Sequence, residues 1–451
     1  MTPRGSLRAR LPLAFILTAI AGAPRPAAAH VRASYATNIS TSGSNVAIQT
    51  TFGLIVGTWT DPAPGTWRWI CPEAMGTIAV EDPATFYLDD TLLMPGFDGL
   101  TRGTNDACDW APAADALANV QVFSGVASPG DPAMAYALTS RPRMPNALYV
   151  TDDAGRTWAP TSDPLTGARR YDSVVVAPSD PDRIYVGASS VAADTSGEST
   201  AFVFRSEDGG TTWTSTTIPM NLGERSFKIR AVDPTDPDHV LASLGSAFSG
   251  RLVASTDGGR SFEDVVVVAS IDALAWHPDG NVVVVSGENT AGVWRSTDGG
   301  RTFERLRDDL DLLCLTYIEG ELWGCVGVEP ETQVTRSFDD GVTWTPVMEF
   351  ETDIDVVVPC GAETTVGQIC PAAVDELRAD FGLPPLNGGD AGPGDGGSAD
   401  GGAADAGAPG PPAASSGGCA SATPSGVAGV VMLGGVLLWL RVRRRPRGRL
   451  G

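Results

Sequence analysis

Residues 296–303 read STDGGRTF, and the same eight-residue pattern returns as TDDAGRTW at 151–158, SEDGGTTW at 206–213, STDGGRSF at 255–262 and SFDDGVTW at 337–344. Each copy runs Ser or Thr, any residue, Asp, any residue, Gly, any residue, Thr or Ser, then an aromatic. This spacing predicts a tight hairpin. The carboxylates of Asp153, Asp208, Asp257, Asp298 and Asp339 accept backbone N–H bonds in an Asx-type turn, and Gly155, Gly210, Gly259, Gly300 and Gly341 supply φ > 0. Trp158, Trp213, Phe262, Phe303 and Trp344 then enter the outgoing strand and pack under the turn. Five matching carboxylates on five separate turns hold those turns together; they do not converge on a substrate or a metal.

Two further copies are degraded. GTNDACDW at 103–110 keeps Trp110 but has Gly103, Asn105 and Ala107 where Ser, Asp and Gly are expected. TDPAPGTW at 60–67 keeps Asp61, Gly65, Thr66 and Trp67 with one residue shifted. The seven copies start at 60, 103, 151, 206, 255, 296 and 337, a period of 41 to 55 residues that belongs to propellers and solenoids. About twenty residues upstream of each stands a turn leading into an alternating strand, as in SDPDRIYVG from Ser179 and TDPDHVLAS from Thr235. Each unit therefore reads as four short strands with the pattern at the last hairpin. The fold class predicted is all-β: a seven-bladed β-propeller of four-stranded blades, followed by a disordered linker and a C-terminal transmembrane helix. The one competing helical stretch lies at 371–381.

The repeated motif resembles the Asp-box, or BNR, repeat of sialidases, xyloglucan-type glycoside hydrolases, sortilin-type receptors and photosystem assembly factors. That resemblance covers some 300 residues and implies a sialidase-like propeller more firmly than any activity, because enzymes and binders share the repeat. A sialidase would carry a Phe/Tyr-Arg-Ile-Pro motif before its first box. The nearest string here, Phe227-Lys228-Ile229-Arg230, falls between the fourth and fifth boxes with Lys at the key position and no Pro.

The chain has 451 residues, 31 Lys+Arg against 54 Asp+Glu, and a net charge of −23. Four of the Arg precede position 31 and six follow position 440, leaving the middle with 21 bases against all 54 acids. Such a field repels phosphates, so nucleic acid is excluded as a partner. Residues 1–29 have a basic start, an apolar run from Leu11 to Ala21 and Ala27-Ala28-Ala29, which together predict a secretory signal cleaved before His30. The propeller then occupies 30–386. Seven Cys in an exported chain predict pairing, and the economical choice joins Cys314 to Cys325, Cys360 to Cys370 and Cys71 to Cys108, with Cys419 left over.

From 387 to 418 the composition collapses into Gly, Ala, Pro, Ser and Asp, which predicts a flexible tether. Residues 419–451 hold Gly418-Cys419's continuation: an uncharged apolar stretch over 420–440 of the ~20 residues a bilayer needs, then an Arg cluster. Tether, Gly-Cys, short apolar helix and Arg tail together resemble the MYXO-CTERM sorting domain of myxobacteria. The resemblance implies that Cys419 marks a processing and surface-anchoring step, with the membrane as a partner through the C-terminal segment.

No HExxH, paired CxxC, P-loop or Gly-x-Ser-x-Gly element is present, so the reading names no metal, no cofactor and no catalytic residue. His30, His239 and His277 are scattered, the last two as solvated turn residues. A ligand site is expected on the face opposite the boxes, where the longest loops are 189–200 and 161–171. The contact residues expected there are Arg169, Arg170 and Tyr171, with Glu288 and Asn289 on a further loop. The function predicted is an exported, surface-anchored, non-catalytic propeller that binds an extracellular protein or glycan. A glycoside hydrolase of the same shape is the alternative, because two carboxylates in a cleft suffice for that chemistry. An envelope assembly factor is a third.

Overall fold

The computed structural model describes residues 34–385 apart from 60–66, 77–83, 142–145, 163, 169, 191–198, 247–248, 289–290, 328–331 and 354–359. Seven antiparallel four-stranded sheets succeed one another along the chain. Blade 1 comprises β1 (Ala36–Ser42), β2 (Asn45–Thr50), β3 (Gly53–Thr58) and β4 (Arg68–Ile70), followed by the short helix α1 (Pro72–Met75). Blade 2 comprises β5 (Phe86–Leu88), β6 (Thr91–Gly96), β7 (Gly99–Thr104) and β8 (Asp109–Pro112). Blade 3 comprises β9 (Val122–Ala127), β10 (Ala135–Thr139), β11 (Leu148–Thr151) and β12 (Ala159–Pro160). Blade 4 comprises β13 (Arg170–Ala177), β14 (Asp180–Ser190), β15 (Thr200–Ser206) and β16 (Thr214–Pro219). Blade 5 comprises β17 (Ser226–Val232), β18 (Val240–Gly245), β19 (Gly250–Ser255) and β20 (Glu263–Val268). Blade 6 comprises β21 (Ala273–Trp276), β22 (Val283–Ser286), β23 (Val293–Ser296) and β24 (Glu304–Arg307). Blade 7 comprises β25 (Leu312–Ile318), β26 (Glu321–Val326), β27 (Val334–Ser337) and β28 (Thr345–Met348). The first strand of each blade contacts the first strands of its neighbours, and β25 of blade 7 meets β1 of blade 1, so the first strands line the centre of a closed ring.

Apolar side chains alternate along these strands and fill the wedges between blades. Tyr136 and Leu138 of blade 3 pack with Val174, Ile184 and Phe204 of blade 4, and Tyr185 and Val203 of blade 4 pack with Phe227, Ile229 and Val253 of blade 5. Each fully buried Val, Leu or Ile contributes about 1.5–3 kcal/mol relative to exposure.

The repeated motif closes the hairpin between the third and fourth strands. In blade 4 the buried Ser206 hydroxyl donates to Asp208 Oδ1 (2.8 Å) and accepts from the Gly210 amide (2.8 Å). Asp208 in turn accepts from the Thr212 amide (2.8 Å) and hydroxyl (2.7 Å). The same network recurs around Asp153, Asp257, Asp298 and Asp339. In blade 3 the Thr157 amide and hydroxyl bonds hold the Asp153 carboxyl down to about 2. Trp158, Trp213 and Trp344 close their turns by donating Nε1–H to the carbonyls of Gly155, Gly210 and Gly341. The degraded turn of blade 2 keeps this last bond: Trp110 Nε1 donates to Ala107 O at 2.7 Å, and Ala107 takes φ +60° in the place of glycine. Most of the other degraded copy lies outside the described residues, though its Trp67 is fully buried.

After β28 come α2 (Phe350–Asp353), α3 (Thr365–Ile369) and α4 (Pro371–Asp380), the last of which is the helix expected at 371–381. This segment packs on blade 1. Phe350 and Phe381 stand edge-on to Phe52 of the β2–β3 turn, at ring separations of 4.9 and 5.3 Å.

Three sequence expectations are corrected. Cys314 is bonded to Cys325, but the other pairing is crossed: Cys71 bonds Cys370 and Cys108 bonds Cys360, so both bridges tie the C-terminal segment to blades 1 and 2 instead of closing short local loops. His239 is not a solvated turn residue: it is buried, with Nδ1 3.1 Å from Asp233 Oδ2 and its ring edge-on to Trp276. The C-terminal transmembrane helix, and with it the membrane as a partner, is not retained. Among the described residues no helix is long and apolar enough to cross a membrane. The longest, α4, has 10 residues, which at ~1.5 Å each reach only about half of a ~30 Å hydrocarbon core. The apolar stretch at 420–440 and Cys419 lie outside the described residues, as do the expected leader at 1–29 and tether at 387–418.

Candidate functional site

A pocket of about 650 Å³ opens at the centre of the ring. Its walls are the leading ends of the first strands, with the loops after the second strands of blades 2 and 6 at its mouth. It therefore lies on the face opposite the box turns.

Local irregularity in the sheets aims the wall residues. Five of the seven first strands carry one extra residue in their pairing with the second strand, and the five unpaired residues are Thr37, Phe123, Asp172, Arg230 and Leu313. All five line the pocket. A bulge bends its strand and re-aims a side chain, and here the device is repeated at the same level around the axis.

The wall has two chemically different sides. Blades 1–3 present Tyr35, Phe97 and Phe123 together with Gln121 and with Asn38, whose side-chain amide donates to the Thr85 carbonyl at 2.9 Å. Phe97, at the β6–β7 turn, is 42% exposed. Blades 4–6 present Asp172, Lys228, Arg230, Asp272 and Glu288. On β17, Phe227 and Ile229 point into the core while Lys228 and Arg230 line the pocket.

The charges are tightly arranged. Asp172 is buried, paired with Arg170 Nε and accepting from the Ser189 hydroxyl at 2.9 Å. Burial nevertheless raises its pKa above the ordinary carboxylate value. Arg230 donates to Ser243 Oγ (2.7 Å), to the Asp272 carbonyl (3.0 Å) and to the Ile271 carbonyl. Asp272 Oδ2 accepts from Ser270 Oγ (2.8 Å) and the Glu288 amide (2.9 Å). Repulsion from Arg230, added to burial, lowers the Lys228 ammonium to about 8. Burial, reinforced by Asp272 and Asp311, pushes the Glu288 carboxyl up.

The residues expected from sequence divide. Glu288 lines the pocket. Arg170 lies outside the pocket wall, where it braces Asp172 and donates to the Arg225 carbonyl at 2.9 Å. Tyr171 faces the core between blades 3 and 4, with its hydroxyl donating to the Leu165 carbonyl at 2.7 Å and its ring stacked on Phe204. Arg169 and Asn289 lie outside the described residues. Asp172, Lys228, Arg230 and Asp272 escaped the sequence reading as site residues. The signal for two of them was present: Lys228 is the one lysine in the chain, and with Arg230 it alternates with apolar Phe227 and Ile229.

Among the described residues no group of three or more His, Cys, Asp or Glu is placed to hold a metal ion. No protein-family model matches the chain. Part of it is 26% identical over 191 residues to the xyloglucanase Xgh74A of Acetivibrio thermocellus, covering 35% of this chain and 22% of that enzyme. A xyloglucanase of a Paenibacillus species is 27% identical over 190 residues, covering 34% of this chain and 18% of the enzyme. The matched part thus spans less than a quarter of the length of either relative. Among solved structures, a puromycin-hydrolysing peptidase of Mycobacterium tuberculosis superposes with a TM-score of 0.49 at 14% identity, covering 70% of this chain and 53% of that one.

Proposed function

We propose that the chain is an exported, non-catalytic β-propeller that binds an extracellular glycan in its central pocket. The observation that carries this reading is the pocket itself, lined by three aromatic and two amide residues on one side and by charged residues on the other. Aromatic faces stack on the apolar faces of sugar rings, and fixed amides and charges select hydroxyls and substituents. Export is supported by the leader-like residues 1–29 and by three disulfides, which persist in oxidising compartments. The test is calorimetry of the full chain against a polysaccharide panel that includes xyloglucan, neutral glucans and charged glycans. Binding of one polysaccharide that Phe97→Ala weakens supports the reading. A panel without binding, or binding indifferent to Phe97, overturns it.

Glycoside hydrolysis is the second reading, favoured by one observation: Glu288, with its raised pKa, stands beside Asp272, which is held by two hydrogen bonds. A carboxyl with a raised pKa next to a second carboxylate is an arrangement such enzymes use. Release of reducing ends from any panel member, abolished by both Glu288→Gln and Asp272→Asn, would establish it.

A further inference from the structure

Arg230, Asp172 and Asp272 each have protein partners, but two other charges of the pocket do not. Lys228 Nζ makes no hydrogen bond or ion pair with a described residue, and neither does the Glu288 carboxylate. Lys228 is half-buried on β17 of blade 5, and Glu288 follows β22 at the exposed mouth of blade 6. They line one pocket from adjacent blades and do not pair with each other.

Each is held in an environment that penalises its charge, so each gains from a counter-charge brought by a ligand. Lys228 faces Arg230 and Arg170 on one side of the balance and Asp172 and Asp272 on the other, and its pKa is lowered. Glu288 faces Asp272 and Asp311, and its pKa is raised. A purely anionic ligand reaching Lys228 would meet the field of Asp172, Asp272 and Glu288. A purely cationic one would meet Lys228 and Arg230. A ligand bearing both charges meets neither penalty.

We propose that the pocket recognises a zwitterionic group, with an anion seated at Lys228 and a primary ammonium at Glu288. The chemistry is a carboxylate or phosphate together with an amine, carried as a substituent on the bound glycan. The inference rests on the glycan-binding reading and names the substituent that the charged wall selects.

The probes are small molecules titrated into the full chain by calorimetry: 4-aminobutyrate, 6-aminohexanoate and O-phosphoethanolamine, with butyrate and butylamine as single-charge controls. At least one zwitterion should bind about tenfold or more tighter than either control, since each charge-assisted contact contributes on that scale. Lys228→Gln and Glu288→Gln should each remove that advantage, and Lys228→Arg should retain it. Unchanged melting temperatures in the variants exclude unfolding as the cause. If a variant unfolds, protection of Lys228 from acetylation by the zwitterion in the wild-type chain gives the same answer. Controls that bind as tightly as the zwitterions, or zwitterions that do not bind, overturn the inference. A polysaccharide bound equally by wild type and both Gln variants would overturn it while leaving the glycan reading intact. Zwitterion binding without any glycan binding would do the reverse.

Discussion

Cys108 and Cys360, 252 residues apart, are joined by a disulfide that fastens the degraded turn of blade 2 to the segment beyond the last strand. Cys71 and Cys370 make a second such link across 299 residues. Among the described residues every blade is built from four consecutive strands, so no strand exchange between early and late sequence locks the ring. Blade 7 packs on blade 1 within one apolar cluster that joins Ile318 and Trp323 to Ile39 and Ile48, and the two bridges supply the covalent closure. The amides of Thr365 and Val366 add to it by donating to Asp109 Oδ1 (3.1 Å) and the Cys108 carbonyl (3.0 Å).

Removing one long-range bridge, as Cys71→Ser with Cys370→Ser, should therefore destabilise the propeller by about 2–5 kcal/mol, because the unfolded chain regains the entropy of a very long loop. Breaking the short Cys314–Cys325 link, which closes a loop of 11 residues, should cost less on the same logic. Urea denaturation of the two double variants under non-oxidising conditions measures the difference. Equal midpoints would show that the long bridges do not close the ring.

The box turns make a separate prediction. Ser296 is buried, and its hydroxyl accepts from the amides of Gly300 (2.8 Å) and Asp298 (3.2 Å) while donating to Asp298 Oδ1 (2.7 Å). Ser296→Ala strands the buried Gly300 amide, at a cost of about 1–3 kcal/mol. Thermal unfolding should show the loss, and Ser296→Thr, which keeps the hydroxyl and matches Thr151 of blade 3, should recover most of it.

How much of this was legible follows from which contacts are local. The box turn was readable because every partner of Asp208 lies within four residues of it. Cys314–Cys325 was readable because the two residues face each other across one hairpin. The other four cysteines meet through the closure of the whole ring, and four cysteines admit three pairings that sequence does not rank. The pocket was hidden for a related reason. Strict alternation assigns a side chain to one face or the other, but Asp172 sits on a bulge that breaks the alternation. Tyr171, chosen from sequence for its place beside two arginines, is turned inward one residue before such a bulge.

Lys228 sets a pH dependence. In the unfolded chain a lysine stays protonated to about pH 10.4, whereas folding lowers Lys228 to about 8, first through Arg230 and then through burial. Below pH 8 both states hold the proton and the folded state carries the full penalty. Between pH 8 and 10.4 the unfolded state binds more protons, so this group's contribution to stability rises with pH, by an amount on the order of 1–3 kcal/mol. Lys228→Met lacks the effect. The stability difference, wild type minus Lys228→Met, should thus increase from pH 7 to pH 10 in urea titrations, and a flat difference would show that the ammonium is well solvated.

Phe350 tests whether the C-terminal segment is a clasp or an ornament. Its ring is fully buried, edge-on to Phe52 of blade 1 at 4.9 Å and to Phe381 at 6.3 Å, and Gln333 Oε1 accepts from its amide at 2.7 Å. It follows the last strand of blade 7 by two residues, so it joins the end of the sheet array to its beginning. Truncation to Ala removes a large buried aromatic that loop movement cannot replace, at a cost of about 3–5 kcal/mol. If the segment closes the ring together with the bridges, Phe350→Ala and the Cys71/Cys370 double variant act on one device. Their combined effect should then fall short of the sum of the separate effects by 0.5 kcal/mol or more, on the order seen for coupled sites. Full additivity in a double-mutant cycle would separate the aromatic cluster from ring closure.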